Sequence, residues 1–190
     1  MSNTKTSSHR TPAIFLDRDG TLIEDVGYMK SSNLIKWLPN VQDTLKIFVK
    51  NKYLLVVITN QSGIARGILT EKDVVSIHST MNEQMLDRYG VVISKFYYCP
   101  HHPDAIISKY QNNCLCRKPG TLLFNQAIKE LNINVKESMC IGDKLTDLTA
   151  ANAAGIKKLF LLNNIPAKVP PVTSYQYTSV NSWDEVQSKL

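Results

Sequence analysis

Three near-continuous apolar runs, Ala13–Leu16, Leu54–Ile58 and Met139–Gly142, constrain this chain more than any other feature. A strand solvated on one face alternates apolar and polar residues. A run that is apolar throughout is buried on both faces, the condition of a parallel strand with helices above and below it. Further strands are read at Ile93–Tyr98 and Lys158–Leu162, and helix-period stretches separate them. One helix starts at Pro39-Asn40, with Asn40 as its cap and Val41, Leu45 and Phe48 on one face. Thr70-Glu71-Lys72-Asp73 resembles a capping box, opening a helix to about Tyr89 with Val74, Ile77, His78, Met81, Met85 and Leu86 inward. Leu122–Leu131 is helical, another helix closes over Ala150–Ala154 with Gly155 as its cap, Pro166–Pro171 is loop, and Trp183–Leu190 is a terminal helix. The βαβ rhythm predicts an α/β fold with a mostly parallel sheet.

With 190 residues and 43% hydrophobic content, one domain over residues 13–190 after a flexible tail at 1–12 accounts for the chain. No stretch reaches 18 apolar residues, and the polar first dozen do not form a secretory signal. A cytoplasmic, monomeric protein without a membrane partner is expected. Lys and Arg total 22 against 16 Asp and Glu, a net +6 spread along the chain. That gives a general pull toward anions, but no dense basic run supports nucleic acid, and a phosphorylated small molecule fits at least as well.

The first run ends in Asp17-Arg18-Asp19-Gly20-Thr21. Ligands of open α/β sheets collect at the carboxyl ends of strands, and alternation puts Asp17 and Asp19 on one side of an extended chain. Two carboxylates there call for a hard cation such as Mg²⁺, for acid/base work, or for both. A calcium loop would want an oxygen ligand continuing the series, then Gly and Glu, where this chain has Thr21, Leu22 and Tyr28. The second run ends in Thr59-Asn60-Gln61-Ser62-Gly63, either a phosphate cradle or a capped turn. Neither G-x-G-x-x-G nor G-x-x-x-x-G-K-[ST] is present.

Cys99, Cys114 and Cys116, with His101, form two pairs of soft ligands at i, i+2, and Cys140 reads as core. Four nitrogen and sulfur donors match a closed structural zinc site; free thiols or a disulfide are the alternatives, and His102 could replace His101. A clip there would stiffen an irregular loop and aim Arg117 and Lys118, otherwise a solvated surface pair.

Asp17, Asp19, Thr59, Lys118 and Asp143 thus gather at strand ends, and the set suits phosphoryl transfer. Mg²⁺ between Asp17, Asp143 and a backbone carbonyl would offset charge while Asp17 attacks phosphorus. Asp19 would protonate the leaving alcohol and later deprotonate water, with Thr59 and Lys118 on the phosphoryl oxygens.

At DxDGT (17–21), Thr59, Lys118 and Gly142-Asp143-Lys144-Leu145-Thr146-Asp147, the chain resembles the haloacid dehalogenase superfamily of phosphohydrolases. Within it, residues 59–67, Tyr98–Pro103 and Cys116–Pro119 are similar to the heptose-bisphosphate phosphatase family. The resemblance runs from about residue 13 to 163. It implies a Rossmann-like three-layer sandwich with a small loop-type cap and a zinc-stapled loop at about 99–118. It implies Asp17 as nucleophile and Asp19 as proton donor, with Mg²⁺ at Asp17, Asp143 and the Asp19 carbonyl and structural Zn²⁺ at Cys99, His101, Cys114 and Cys116. Substrate contacts are implied at Asp25, Val26, Gly27, Tyr28, Thr59, Asn60, Gln61, Ser62, Arg117, Lys118 and Lys144. The family removes the 7-phosphate of a heptose bisphosphate on the route to nucleotide-activated heptose for lipopolysaccharide core. This chain departs from it in the tail before Pro12 and in a turn after Pro119 that is two residues shorter. Rival readings are a histidinol-phosphate phosphatase, a DNA-end 3′-phosphatase and a non-catalytic sugar-phosphate binding module.

Overall fold

The computed structural model describes residues 10–163 and 173–189. The Pro166–Pro171 loop, most of the amino-terminal tail and Leu190 lie outside the described residues. Six parallel strands form one sheet: β1 (Ala13–Leu16), β2 (Leu54–Asn60), β3 (Lys95–Cys99), β4 (Met139–Gly142), β5 (Lys158–Leu162) and β6 (Thr178–Val180). Their spatial order is β3-β2-β1-β4-β5-β6, and every adjacent pair is parallel. The helices are α1 (Val41–Lys50), α2 (Ser62–Ala65), α3 (Glu71–Tyr89), α4 (Leu122–Glu130), α5 (Leu145–Ala153) and α6 (Trp183–Ser188). Among the described residues no helix is long and apolar enough to cross a membrane.

Both faces of the sheet are buried, as the apolar runs require. Ile14 and Leu16 of β1 join Leu55, Val57 and Ile141 in a core with Leu45 and Phe48 of α1, Met81 of α3 and Trp183 of α6. Ala13 and Phe15, pointing the other way, pack with Val56, Ile58 and Cys140 against Phe124 and Ala127 of α4 and Leu148 of α5. At roughly 25 cal/mol per Å² of apolar surface, these two layers supply the main driving force for folding. The chain order reverses at β1, whose neighbours are β2 and β4, so the crevice beyond their carboxyl ends is a topological switch point. Register aligns those ends, since Leu16 pairs with Val57 on one side and Ile141 on the other.

The capping box at Thr70 and Asp73 forms as expected. Other local expectations are corrected. Asn40 occupies the cap position of α1 in a left-handed conformation without capping it; its amide instead donates to Asp184 at 2.9 and 2.8 Å. Leu86, near the end of α3, is 54% exposed because it sits about 100° round the helix from the buried Met85, off the inward stripe of Val74, Ile77, Met81 and Met85. Ile93 precedes β3 because the Asn82 side chain takes up its N–H and C=O, at 2.8 and 3.2 Å, which a strand would have given to the ladder. Strand β2 runs on through Thr59 and Asn60. Strand β6 is a short edge strand whose Thr178 and Ser179 give little apolar signal.

Candidate active site

The site begins where β1 ends. The Asp17 N–H still donates to Ile141 O at 3.1 Å, and the chain then turns back tightly on the Arg18 carbonyl, which accepts from the N–H groups of Leu22 and Ile23. Gly20 makes that turn at φ 78, and a Cβ there would meet Asp143 Oδ2 at 2.5 Å, so this position needs glycine for conformation and for space.

Lys118 joins the motifs. Its Nζ donates to Asp17 Oδ1 at 2.6 Å and to Ile58 O at 2.7 Å, and pairs with Asp147 Oδ1 at 2.6 Å. Burial works against this ammonium, but Asp147 and Asp17 outweigh it and hold its pKa above the usual lysine range. Its backbone is clamped to the end of β2: the Lys118 N–H donates to Asn60 Oδ1 at 3.0 Å, and Asn60 Nδ2 donates to Lys118 O at 3.2 Å. Thr59 is buried beside it, and its Oγ1 accepts from Gln61 Nε2 at 2.9 Å.

Asp143 follows β4. Burial, reinforced by Asp17, pushes its carboxyl up to about 7, and its Oδ1 is buried without a hydrogen-bond partner. Asp17, Asp143 and Asp147 each bring a carboxylate oxygen within 4.8 Å of the others. Asp147 was not among the expected site residues. Its spacing reads as the third residue of a helix, and it does accept from the Lys144 N–H at 3.0 Å, but its other oxygen is the second anchor of Lys118. A Cβ on Gly142 would meet Asp147 Cβ at 2.5 Å, so this glycine admits that carboxylate.

These groups open into a cleft of about 500 Å³. Asp17, Asp19, Thr59, Asn60, Ser62, Lys118 and Asp147 line it, with Asp25, Gly27, Tyr28, Arg117 and Lys144 around them. Thr146, which sequence reasoning missed, also lines it. Val26 does not and is exposed; Gln61 lies behind the wall, donating to Asp19 Oδ2 at 2.8 Å. Lys144 Nζ reaches both Asp25 Oδ2 and Asp143 Oδ2 at 3.4 Å. Burial raises the Asp19 carboxyl, although the Arg18 guanidinium opposes the shift.

Cys99, His101, Cys114 and Cys116 converge, with donor atoms within 4.8 Å of one another. The Sγ atoms of Cys99 and Cys114 are 3.5 Å apart, and His101 Nδ1 is 3.3 Å from Cys116 Sγ. Cys116 Sγ lies closer still to the other two sulfurs, 2.8 Å from Cys114 and 3.1 Å from Cys99, where ligands of a tetrahedral zinc stand roughly 3.5 to 4 Å apart; the donors match that ion in number and chemistry, and no disulfide links them. His102 faces elsewhere, its Nδ1 accepting from the Asp104 N–H at 3.1 Å. The loop returns tightly: the Leu122 N–H donates to Leu115 O at 3.1 Å, and a Cβ on Gly120 would meet that oxygen at 2.2 Å.

The family profile described as HAD-hydrolase-like matches residues 115–170. A D-glycero-beta-D-manno-heptose-1,7-bisphosphate 7-phosphatase of Haemophilus ducreyi is 45% identical over 150 residues, covering 79% of this chain and 82% of that protein. The chain belongs to this heptose-bisphosphate phosphatase family of haloacid-dehalogenase-like hydrolases. The family's protein of the same name from Yersinia pestis is 43% identical over 145 residues, 76% of this chain and 77% of that one. Among solved structures, a protein named as HAD-like phosphatase from Mesorhizobium loti superposes with TM-score 0.83 at 27% identity, covering 94% of this chain and 84% of that one. A D,D-heptose 1,7-bisphosphate phosphatase from B. bronchiseptica, solved with magnesium and phosphate, gives 0.76 at 23% identity over 95% of this chain and all (100%) of that one.

Proposed function

We propose that this chain is a Mg²⁺-dependent phosphohydrolase that removes the 7-phosphate of D-glycero-D-manno-heptose 1,7-bisphosphate, on the route to nucleotide-activated heptose. The observation that carries this is Asp17, a cleft carboxylate gripped on one oxygen by Lys118 and facing a second carboxylate, Asp143, with an orphaned oxygen.

The orphaned oxygen and the crowding of Asp17, Asp143 and Asp147 fit a hard cation, which the family resemblance would put on Asp17, Asp143 and the Asp19 carbonyl. Bound there, Mg²⁺ would offset the charge of substrate and carboxylates together. Lys118, hydrogen-bonded to Asp17 Oδ1, aims that carboxylate. Asp17 attacks phosphorus, forming an aspartyl phosphate as the bond from phosphorus to the sugar oxygen breaks, and Asp19 gives that oxygen a proton. Asp19 then takes a proton from the water that hydrolyses the aspartyl phosphate, releasing inorganic phosphate and restoring Asp17. Thr59 and Lys118 hold the phosphoryl oxygens. Arg117 and Lys144 give the outer cleft two cations, suited to the phosphate that stays on the sugar. The Cys/His set would hold Zn²⁺ as a clip that steadies the loop carrying Arg117 and Lys118.

The test is phosphate release with Mg²⁺ from the heptose bisphosphate, histidinol phosphate and a 3′-phosphorylated oligonucleotide. Strong preference for the bisphosphate, lost in Asp17→Asn, is expected. Preference for either other substrate would overturn the substrate, and unchanged turnover in Asp17→Asn would overturn the mechanism.

A further inference from the structure

Arg18 is the second-largest fully buried side chain of the described residues, at 1% exposure, and its position between the two motif aspartates leaves it no role in the chemistry above. A buried guanidinium is expensive unless every arm is satisfied. Here Nε and Nη2 form a fork across both oxygens of Asp19, at 2.8 to 3.2 Å. The remaining arm, Nη1, lies 3.3 Å from Nε2 of His78, a buried residue of α3. Arginine only donates, so His78 Nε2 accepts and the ring proton sits on Nδ1. The imidazole is itself stacked on Phe96 of β3, with ring centroids 4.3 Å apart and planes at 14°.

This chain of contacts runs from the rigid sheet, through a helix, to one cleft carboxylate. Gln61 adds a further donor to Asp19 at 2.8 Å. We infer that Arg18, braced by His78, is a positioning residue that fixes the Asp19 carboxyl group where it delivers its proton to the leaving sugar oxygen. The inference rests on the reading of Asp19 as the proton donor. Proton transfer needs heavy atoms within hydrogen-bond reach, and a displacement near 1 Å costs up to about 100-fold, so a fork that sets the plane of the carboxyl acts directly on the rate. The balance is the one already given: a proton moves from Asp19 to the leaving oxygen while the phosphoryl group moves to Asp17.

Removing Arg18 would empty a large buried position and take the partner from the half-buried Asp19, which risks the fold, so His78 carries the test. His78→Phe keeps the stacking on Phe96 but takes the acceptor from Arg18, and His78→Gln supplies an amide oxygen in its place. For each protein, kcat/KM is measured with an alkyl phosphate, the heptose bisphosphate, and with p-nitrophenyl phosphate, whose phenolate leaves without a proton. This parameter reports steps up to the first irreversible one, so it isolates the transfer in which the acid acts. The expected result is a loss of about 10- to 100-fold on the alkyl substrate in His78→Phe, with the aryl substrate within about 3-fold and His78→Gln close to wild type on both. Equal losses on both substrates would show general damage to the site and overturn the inference. An unchanged alkyl rate in His78→Phe would overturn it too. Should wild type prefer another alkyl phosphate, the functional reading fails by that preference alone, and the aryl-to-alkyl ratio is read on the preferred substrate.

Discussion

The buried His78 makes stability depend on pH in a way that can be worked out in advance. Burial, with the nearby Arg18 charge, lowers its pKa from 6.5 to about 3. The unfolded chain therefore takes up a proton on this residue below about 6.5, whereas the folded chain stays neutral there until near 3. The unfolded state binds more protons across that window, so stability rises with pH and is lost as pH falls below 6.5. At about pH 5 an unfolded histidine is roughly 97% protonated, and the linkage integral gives a loss of about 2 kcal/mol relative to about pH 8. Other groups also contribute to the pH dependence of stability, so the informative quantity is the difference between wild type and His78→Gln, from which they cancel. Urea unfolding of both proteins at about pH 8, 6.5 and 5 measures it. The expected result is that His78→Gln gains about 2 kcal/mol on wild type between the extremes, with little gain above about pH 7. Parallel pH profiles, or a gain by wild type, would mean that His78 charges within the fold and would refute the donor and acceptor assignment to Arg18.

Other expectations follow from the loop and its anchors. Gly120→Ala forces a methyl group into contact with the Leu115 carbonyl at 2.2 Å, so it should lower the thermal midpoint and raise KM by loosening Arg117 and Lys118; an unchanged KM would show that the tight return does not aim those groups. Cys114→Ser should reduce zinc content, measured by atomic absorption, together with substrate affinity, and full zinc loss with unaltered kinetics would refute the clip. Trp183→Phe removes the indole donor to Thr21 O, a buried contact of 2.8 Å, and should cost about 1 to 3 kcal/mol in urea unfolding while leaving KM in place.

The parts of the site legible in the sequence are those that parallel register aligns. An apolar run of fixed length must place its next residues at the same sheet edge as its neighbours, so Asp17, Thr59 and Asp143 fall together once three strands are recognised. Lys118 was legible through its motif, although no strand carries it and its placement depends on the reciprocal hydrogen bonds with Asn60. Asp147 and Arg18 escaped for a common reason. Each has a satisfactory local explanation, a helix-start carboxylate and a polar residue in a turn, and only the tertiary structure shows what their other atoms touch. Asn40 failed in reverse: a sound local signal for capping yielded to a tertiary partner, Asp184. Strand β6 lies at the sheet edge, where burial on two faces no longer shapes the sequence.

The charges around Asp17 connect these observations. Arg18 forks across Asp19, and the carboxylates Asp17, Asp143 and Asp147 cluster around Lys118, the one buried ammonium among the described residues. With Lys144 Nζ 3.4 Å from Asp143 Oδ2 at the outer side, the carboxylates still outnumber the ammonium groups, and the base of the cleft attracts a cation. Asp143 and Asp147 both belong to that cluster but differ in what their oxygens already do. Both Asp147 oxygens are occupied, one by Lys118 and one by the Lys144 N–H, whereas Asp143 Oδ1 is without a partner. Replacing either by asparagine removes one charge, so a purely electrostatic role would weaken Mg²⁺ activation equally in both. A ligand role for Asp143 alone predicts a split. Asp143→Asn should raise the Mg²⁺ concentration for half-maximal phosphate release by about 100-fold, and Asp147→Asn should raise it far less while lowering kcat through a loosened Lys118. Matched shifts in the two variants would show that field, and not coordination, sets the metal requirement.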